Sequence, residues 1–387
     1  MGEIARHFRT GEWVRLVTRG ATIAEVAPAE GPAEVAEEDD WIAPAFWDIQ
    51  TNGRWGISYS DPTLTVDQVA AIVLSQAELG TARLCPTLIT APRADLLHGV
   101  RTIAAACESD PDVAARVAGI HLEGPYISEQ DGYRGAHPRG AVRDPSWGEF
   151  QALQDAAGGR IALITLAPER PGAIAFIEQA ALSGVVVALV HTAADGATLR
   201  AAAGAGARLS THLGNGIAAT LPRHPNPIWD QAALDYLSAS FIADGHHLDR
   251  APLRVLARAK GAGRVILVSD ASPLAGLPPG RYGDWAVDPS GKIVVAGTPY
   301  LAGSNRGLDV GLDHLLDATD FTLAEAIATV TRNPARLLDR PEPTLEPGQP
   351  ANVISFQRPP RGAKLGFAPR RTCVDGQWVD AGPAERR

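Results

Sequence analysis

The sequence predicts a (β/α)8 TIM barrel with a small β-sandwich beside it, formed by the N- and C-terminal segments. Three observations carry this. From residue 45 onward, eight compact apolar runs recur with helical segments between them, as parallel strands buried on both faces should. Gln50, Asn52, Glu123, His191, His212, Asp244 and Asp270 all fall at the C-terminal ends of those runs, and only in a closed barrel do such ends share one rim. The two ends of the chain instead read as short strands separated by turns. An open doubly wound sheet would accommodate the runs but not the single rim.

Taken in order, "EWVRLVTRGATIAEVAP" alternates apolar and polar positions and gives way to an acidic turn, "AEEDD", the pattern of half-buried strands. The eight runs follow: "FWDIQT", "ARLCPTLIT", "RVAGIHLEG", "RIALITLAP", "VVVALVHT", "ARLSTHL", "LSASFIAD" and "RVILVSD". Between the first two, Thr65 and Gln68 make a capping box that opens a helix, and Gly80 can stop it. After residue 283, "DWAVDPSGKIVVAG" predicts a hairpin, and Thr322 with Glu325 opens a second boxed helix. "ANVISFQ" and "RTCVDGQWVD", with an Asp375-Gly376 turn, return to strands. The intervening "RPPRGAKLGFAPRR" is basic but short and Pro-rich, and reads as a solvated loop. The expected organisation is therefore 1–44 with 341–387 as the β-sandwich and 45–340 as the barrel.

Bulk properties exclude several function classes. A formal charge of -9, from 44 acidic and 35 basic residues, argues against nucleic acid or an anionic membrane as the main partner. Cys85, Cys107 and Cys373 are far apart and form no CxxC, so neither a disulfide framework nor a thiolate zinc site is expected. No run approaches the ~20 apolar residues of a membrane span, and the N-terminus lacks an apolar signal region. A soluble cytoplasmic protein is expected.

The rim residues carry the chemistry. Alternation along the third run sends His121 and Glu123 to the same side. Taken singly, Glu123 is as readily a buried structural carboxylate, and His191 and His212 satisfied core histidines. Together, at the mouths of strands three, five and six, two histidines and one carboxylate match a catalytic zinc arrangement with an open water position. Asp270, in "LVSDASPLAG", can take a proton from water and return it to a leaving amine; its other reading is a turn-forming Asp before Ser-Pro. Gln50 and Asn52 are neutral amides and weak ligands, so one metal is expected, with these two lending hydrogen bonds and His121 supporting the metal site beside Glu123.

These motifs resemble the N-acetylglucosamine-6-phosphate deacetylases of the amidohydrolase superfamily. The resemblance runs through "WDIQTNG", "CPTLIT", "GIHLEGPYIS", "GAHPRGA", "LAPE", "THLGNGI", "IADGHHLD", "SDASPLAGLPPGRY", "LAGS" and "RNPARLL", in order along nearly the whole chain. It implies one divalent ion, Zn2+ by its donor set, on Glu123, His191 and His212, with Asp270 as catalytic acid and base. It also implies Ala136 and His137 on the sugar, Asn215 and Gly216 on a phosphate with Arg223 as its cation, and His247 reaching a phosphate across the boundary of a homodimer. The chain departs from the family in "HLGNGI", where Gly214, Gly216 and Ile217 replace an aromatic, Ala and Met, and in "HPNPIWDQ" after Arg223. Two rivals are an amidohydrolase for another N-acyl substrate and a non-catalytic scaffold on the same fold, which would be expected to lose a ligand or the acid.

Overall fold

The computed structural model describes residues 2–31, 39–358 and 367–382. Part of the acidic turn (36–38) and most of the basic loop (359–366) lie outside the described residues.

Eight parallel strands form one sheet in sequence order: Phe46–Thr51, Thr81–Ile89, Ile120–Glu123, Ile161–Leu166, Val186–Leu189, Ala207–Ser210, Ser238–Phe241 and Val265–Leu267. The sheet curls into a barrel, and the first and eighth strands meet at a seam. There Asp270 N–H donates to the Gln50 carbonyl at 3.0 Å and Asn52 N–H to the Ala271 carbonyl at 2.8 Å, beside a bridge between Thr51 and Ala271. The barrel interior below the rim is plugged by Ile49, Cys85, Leu163, Ala188, Leu209, Ile242 and Ile266. Truncating such a side chain, as in Leu163→Ala, costs about 2–5 kcal/mol. Burial also pushes the Cys85 thiol well up, so it acts here as an apolar filler.

The crossover helices start where local chemistry dictates. Thr65 Oγ1 accepts from Gln68 N–H at 3.3 Å while Gln68 Oε1 accepts from Thr65 N–H at 3.0 Å. The helix Val66–Ser75 tightens into a 3-10 turn and ends at Gly80, whose φ is 88°. The Thr322–Glu325 box forms as well. One expected run begins later than its apolar pattern: residues Pro111–Arg116 are helical, because Asp110 caps the N–H groups of Asp112 and Val113 and Pro111 sits at the first helical position. The third strand is thereby confined to Ile120–Glu123.

Both ends of the chain build a separate seven-stranded sheet, in the order Gln377–Asp380, Ala368–Val374, Val353–Arg358, Asp39–Pro44, Gly2–His7, Trp13–Arg19, Thr22–Pro28. Asp375 and Gly376 form its last turn with φ of 47° and 87°, the left-handed pair a two-residue hairpin needs. The Arg83 guanidinium, 3.0 Å from Asp375, ties this turn to the second barrel strand. A single apolar cluster runs from this sheet (Leu16, Ile42, Phe356) to the barrel and its helices (Phe46, Phe241, Leu312). The predicted hairpin forms part of a three-stranded sheet, Gly280–Tyr282, Trp285–Val287 and Ile293–Val295.

Candidate metal centre and active site

Three side chains at the rim share one backbone device. His191, His212 and Asp270 each follow the end of a strand and adopt positive φ, at 49°, 30° and 48°. Such conformations are unfavourable for non-glycine residues and persist only when the surroundings impose them. Glu123 closes the third strand, and Gly124 lets the chain turn at once: at φ 89° a Cβ there would lie 2.2 Å from Thr90 Oγ1.

These turns bring Glu123, His191 and His212 together, with their ligand atoms all within 4.8 Å of one another. Glu123 Oε1 stands 3.0 Å from His212 Nε2 and 3.5 Å from His191 Nε2. His191 Nδ1 donates to the Tyr133 carbonyl at 2.7 Å, which fixes the tautomer and leaves Nε2 as the lone-pair nitrogen. Burial would raise the Glu123 carboxyl, but the adjoining imidazoles of His191 and His212 outweigh it and hold the group well below the usual carboxylate range. Burial likewise opposes charge on His212, and the Glu123 hydrogen bond and charge overcome it, raising that imidazole. A buried anion whose neighbours are two imidazole nitrogens suits a divalent ion with N/O preference, so the donor set fits a metal.

Asp270 stands beside this group. Its Oδ1 accepts from Asn52 Nδ2 at 2.7 Å and from Gln50 Nε2 at 3.2 Å, so the two first-strand amides bond the acid itself. Burial, then the Glu123 charge, push the Asp270 carboxyl up to about 7, against the lowering influence of His212, His247 and Asn52. His121 belongs to the barrel interior: Nε2 lies 2.7 Å from Thr165 Oγ1 and Nδ1 3.1 Å from the Ile49 carbonyl. Its contacts are with strands one, two and four, and not with the candidate metal ligands.

A cavity of about 280 Å³ opens over the centre, lined by Asn52, Glu123, Ala136, His137, His191, His212, Asn215, Gly216, His247 and Asp270. Burial, then the neighbouring His191, push His137 down to about 3. It is therefore neutral at ordinary pH. Its Nδ1 lies 2.9 Å from Thr90 Oγ1 and 3.4 Å from Thr90 N, leaving Nε2 as the ring nitrogen free for a ligand. His247 Nδ1 pairs with Asp244 Oδ2 at 2.8 Å, an oxygen that also accepts from Ser304 Oγ at 2.8 Å. The Asn215 amide nitrogen is buried without a hydrogen-bond partner among the described residues. Gly216 packs against His191, where a Cβ would meet the ring at 2.8 Å. Arg223 is exposed and does not line the cavity.

Sequence reasoning missed the far wall, made by Ser272, Trp285, Tyr300, Leu301, Ala302 and Gly303. The hairpin was legible, but nothing local in it signalled that Trp285 faces the rim.

A parallel barrel with a carboxylate and two imidazoles at its C-terminal mouth, and an acid from the eighth strand, is the architecture of an amidohydrolase; residues 41–379 match the Amidohydrolase family, and the protein is a hydrolase acting on an amide. N-acetylglucosamine-6-phosphate deacetylase of Danio rerio is 35% identical over 336 residues, covering 82% of this chain and 80% of the relative. N-acetylgalactosamine-6-phosphate deacetylase of Escherichia coli O157:H7 is 32% identical over 362 residues, covering 91% and 94%. The crystal structure of N-acetyl-D-glucosamine-6-phosphate deacetylase from Mycobacterium smegmatis superposes with a TM-score of 0.82 at 30% identity, covering 95% of both chains. A mutant of that enzyme with an aspartate replaced by alanine, in complex with N-acetyl-D-glucosamine-6-phosphate, matches equally well. The chain belongs to the N-acetylglucosamine-6-phosphate deacetylase family.

Proposed function

We propose that the protein removes the acetyl group of N-acetylglucosamine 6-phosphate, giving glucosamine 6-phosphate and acetate. The observation that carries this reading is the meeting of Glu123, His191, His212 and Asp270 at one barrel mouth, in a chain akin to deacetylases of this substrate.

Glu123, His191 and His212 would hold one divalent ion, Zn2+ by donor type, which when bound lowers the pKa of water toward ~7 and polarises a carbonyl oxygen. Asp270 takes the proton of the attacking water on the oxygen that Gln50 and Asn52 leave open, then hands it to the departing nitrogen. Gln50 and Asn52 hold that carboxylate in place. His137, neutral and held by Thr90 through Nδ1, can donate from Nε2–H to a substrate oxygen, and such a preorganised donor is worth roughly 3 kcal/mol if it meets developing charge. Ala136 shapes the wall beside it. The orphan amide of Asn215, the backbone at Gly216 and the free nitrogen of His247 are suited to phosphate or hydroxyl oxygens.

For Arg223 we propose a role across the contact between two copies of the chain. The cavity does not include it, while Trp229 and Tyr236 nearby in sequence are 50% and 86% exposed, aromatic side chains of the kind a homodimer contact would cover. We further propose 1–44 with 341–387 and 45–340 as the two domains. A cytoplasmic location accords with three buried free cysteines and with no described helix being long and apolar enough to cross a membrane.

A second reading takes N-acetylgalactosamine 6-phosphate as substrate, favoured by the fuller coverage of the Escherichia coli relative. Acetate release by the zinc-reconstituted protein, compared across both sugar phosphates and plain N-acetylglucosamine, decides. Higher kcat/KM on the plain sugar than on either phosphate would reject both readings.

A further inference from the structure

Behind the rim, Asp48 is a carboxylate without an assigned role. It lies on the first strand, is 3% exposed, and lines not the catalytic cavity but a separate one of about 30 Å³, with Arg54, Ser269 and Arg306. Its Oδ1 accepts two main-chain N–H groups, from Gln50 at 3.2 Å and from Ser269 at 3.2 Å. Those donors belong to the two sides of the barrel seam. Gln50 carries one of the amides that grip Asp270, and Ser269 immediately precedes Asp270.

We propose that Asp48 is a positioning residue for the catalytic acid and base: by gathering the amides of Gln50 and Ser269 on one oxygen, it clamps the seam and sets the place of the Asp270 carboxylate. The seam needs such a clamp because pairing here rests on the single Thr51–Ala271 bridge and a few bonds around it, with no regular ladder between the first and eighth strands among the described residues. Asp270 must at the same time hold a left-handed backbone. Charge-assisted bonds to backbone amides are about twice as strong as neutral ones. Displacing a reacting group by ~1 Å can cost on the order of a hundredfold in rate. Asp48 itself does not line the catalytic cavity, so its influence on rate passes through Gln50 and Ser269.

The inference rests on the deacetylase reading only for its kinetic arm. In the zinc-reconstituted enzyme, D48A should lower kcat on N-acetylglucosamine 6-phosphate at least about tenfold, with KM within about threefold and metal content unchanged. D48N keeps an acceptor oxygen and should recover kcat to within about threefold of the wild type. Crystal structures supply the activity-independent arm: the Asp270 carboxylate should be displaced or disordered in D48A and native in D48N. Wild-type kcat in D48A, equal losses in the two variants, or an unmoved Asp270 in D48A would each overturn the proposal. If D48A does not fold, poor activity in well-folded D48N does the same. A wild type inactive on every sugar phosphate would reject the substrate reading alone, and the crystal comparison would still decide the role of Asp48.

Discussion

Asn52 Nδ2 donates to Asp270 Oδ1 at 2.7 Å, spanning the barrel seam between the first and eighth strands. The bond favours the ionised carboxylate, against the burial and the Glu123 charge that push it up. Removing it leaves Gln50 as the remaining amide on that oxygen. Asn52→Ala should therefore lower kcat at pH 7 by about tenfold and move the acid limb of the kcat profile to higher pH. Metal analysis should find full occupancy. An unchanged acid limb would separate Asn52 from the ionisation of Asp270.

Asp270→Asn should retain metal and lose about a thousandfold or more in kcat. The same variant should stabilise the metal-stripped protein. Asp270 titrates near 7 in the fold against 3.8 as a free side chain, so the folded state holds the proton across that window. Its contribution is fully present below about 4 and is lost as pH rises through about 7. Chelator-treated D270N should accordingly match the wild type near pH 4 and exceed it at pH 8, by on the order of 4 kcal/mol. Denaturant melts at the two pH values measure this, and equal stability at pH 8 would mean Asp270 is no burden on the apo fold.

Glu123 bridges both imidazoles, so Glu123→Gln takes the only anionic ligand out of the set. Metal content should fall to near zero and activity with it. In the wild type, chelation should abolish acetate release and one equivalent of Zn2+ restore it. The melting temperature should follow, because an ion at about 1,000 times its Kd adds about 4 kcal/mol to the fold. Full activity after exhaustive metal removal would eliminate the metal from the reaction.

The barrel and its rim were legible because they rest on short-range signals. Capping at Thr65 and Thr322 is a three-residue pattern, and buried parallel strands announce themselves as apolar runs ended by polar residues. Glu123, His191, His212 and Asp270 could be picked out since a barrel sends all strand ends to one place. Direction was not legible. That Gln50 and Asn52 grip Asp270 depends on the stagger of the seam, and that Trp285 and Tyr300 wall the cavity depends on how a distant hairpin folds back. His121 shares a strand face with Glu123 yet is absorbed by Thr165 and Ile49, a choice made by strands remote in sequence. The Asp110-Pro111 cap forms, and the helix it opens leaves the third strand shorter than its apolar run.

Arg223 tests the assignment of phosphate recognition to a second copy. Arg223→Ala should raise KM for N-acetylglucosamine 6-phosphate by about tenfold or more, the scale of a lost charge-assisted bond, and leave kcat and the unphosphorylated sugar nearly unaffected. Replacing exposed Trp229 by Lys should yield monomers by sedimentation and reproduce the same KM defect. A monomeric variant with normal KM would return Arg223 to the surface.

Lys260 gives the site its foundation from the outside of the barrel. Its ammonium, 1% exposed as a residue, donates to the carbonyls of Gln231, Leu234 and Leu237 at 2.6, 2.9 and 3.0 Å. These are the carbonyls released where the helix Pro227–Ala233 ends and the chain runs toward the seventh strand. Ile228 and Gln231 of that helix in turn line a pocket with Gly214, Asn215 and Gly216, so the anchor lies one layer behind the residues facing the cavity. Met fills nearly the same volume but donates nothing, so all three carbonyls lose the ammonium, although Gln231 and Leu234 keep main-chain donors from Leu234 and Leu237. Lys260→Met should cost about 3 kcal/mol of stability, read from denaturant midpoints, and raise KM more than it lowers kcat, because Asn215 and Gly216 adjoin the helix that Lys260 anchors while Glu123 and Asp270 do not. A variant as stable as the wild type would show that water replaces the ammonium.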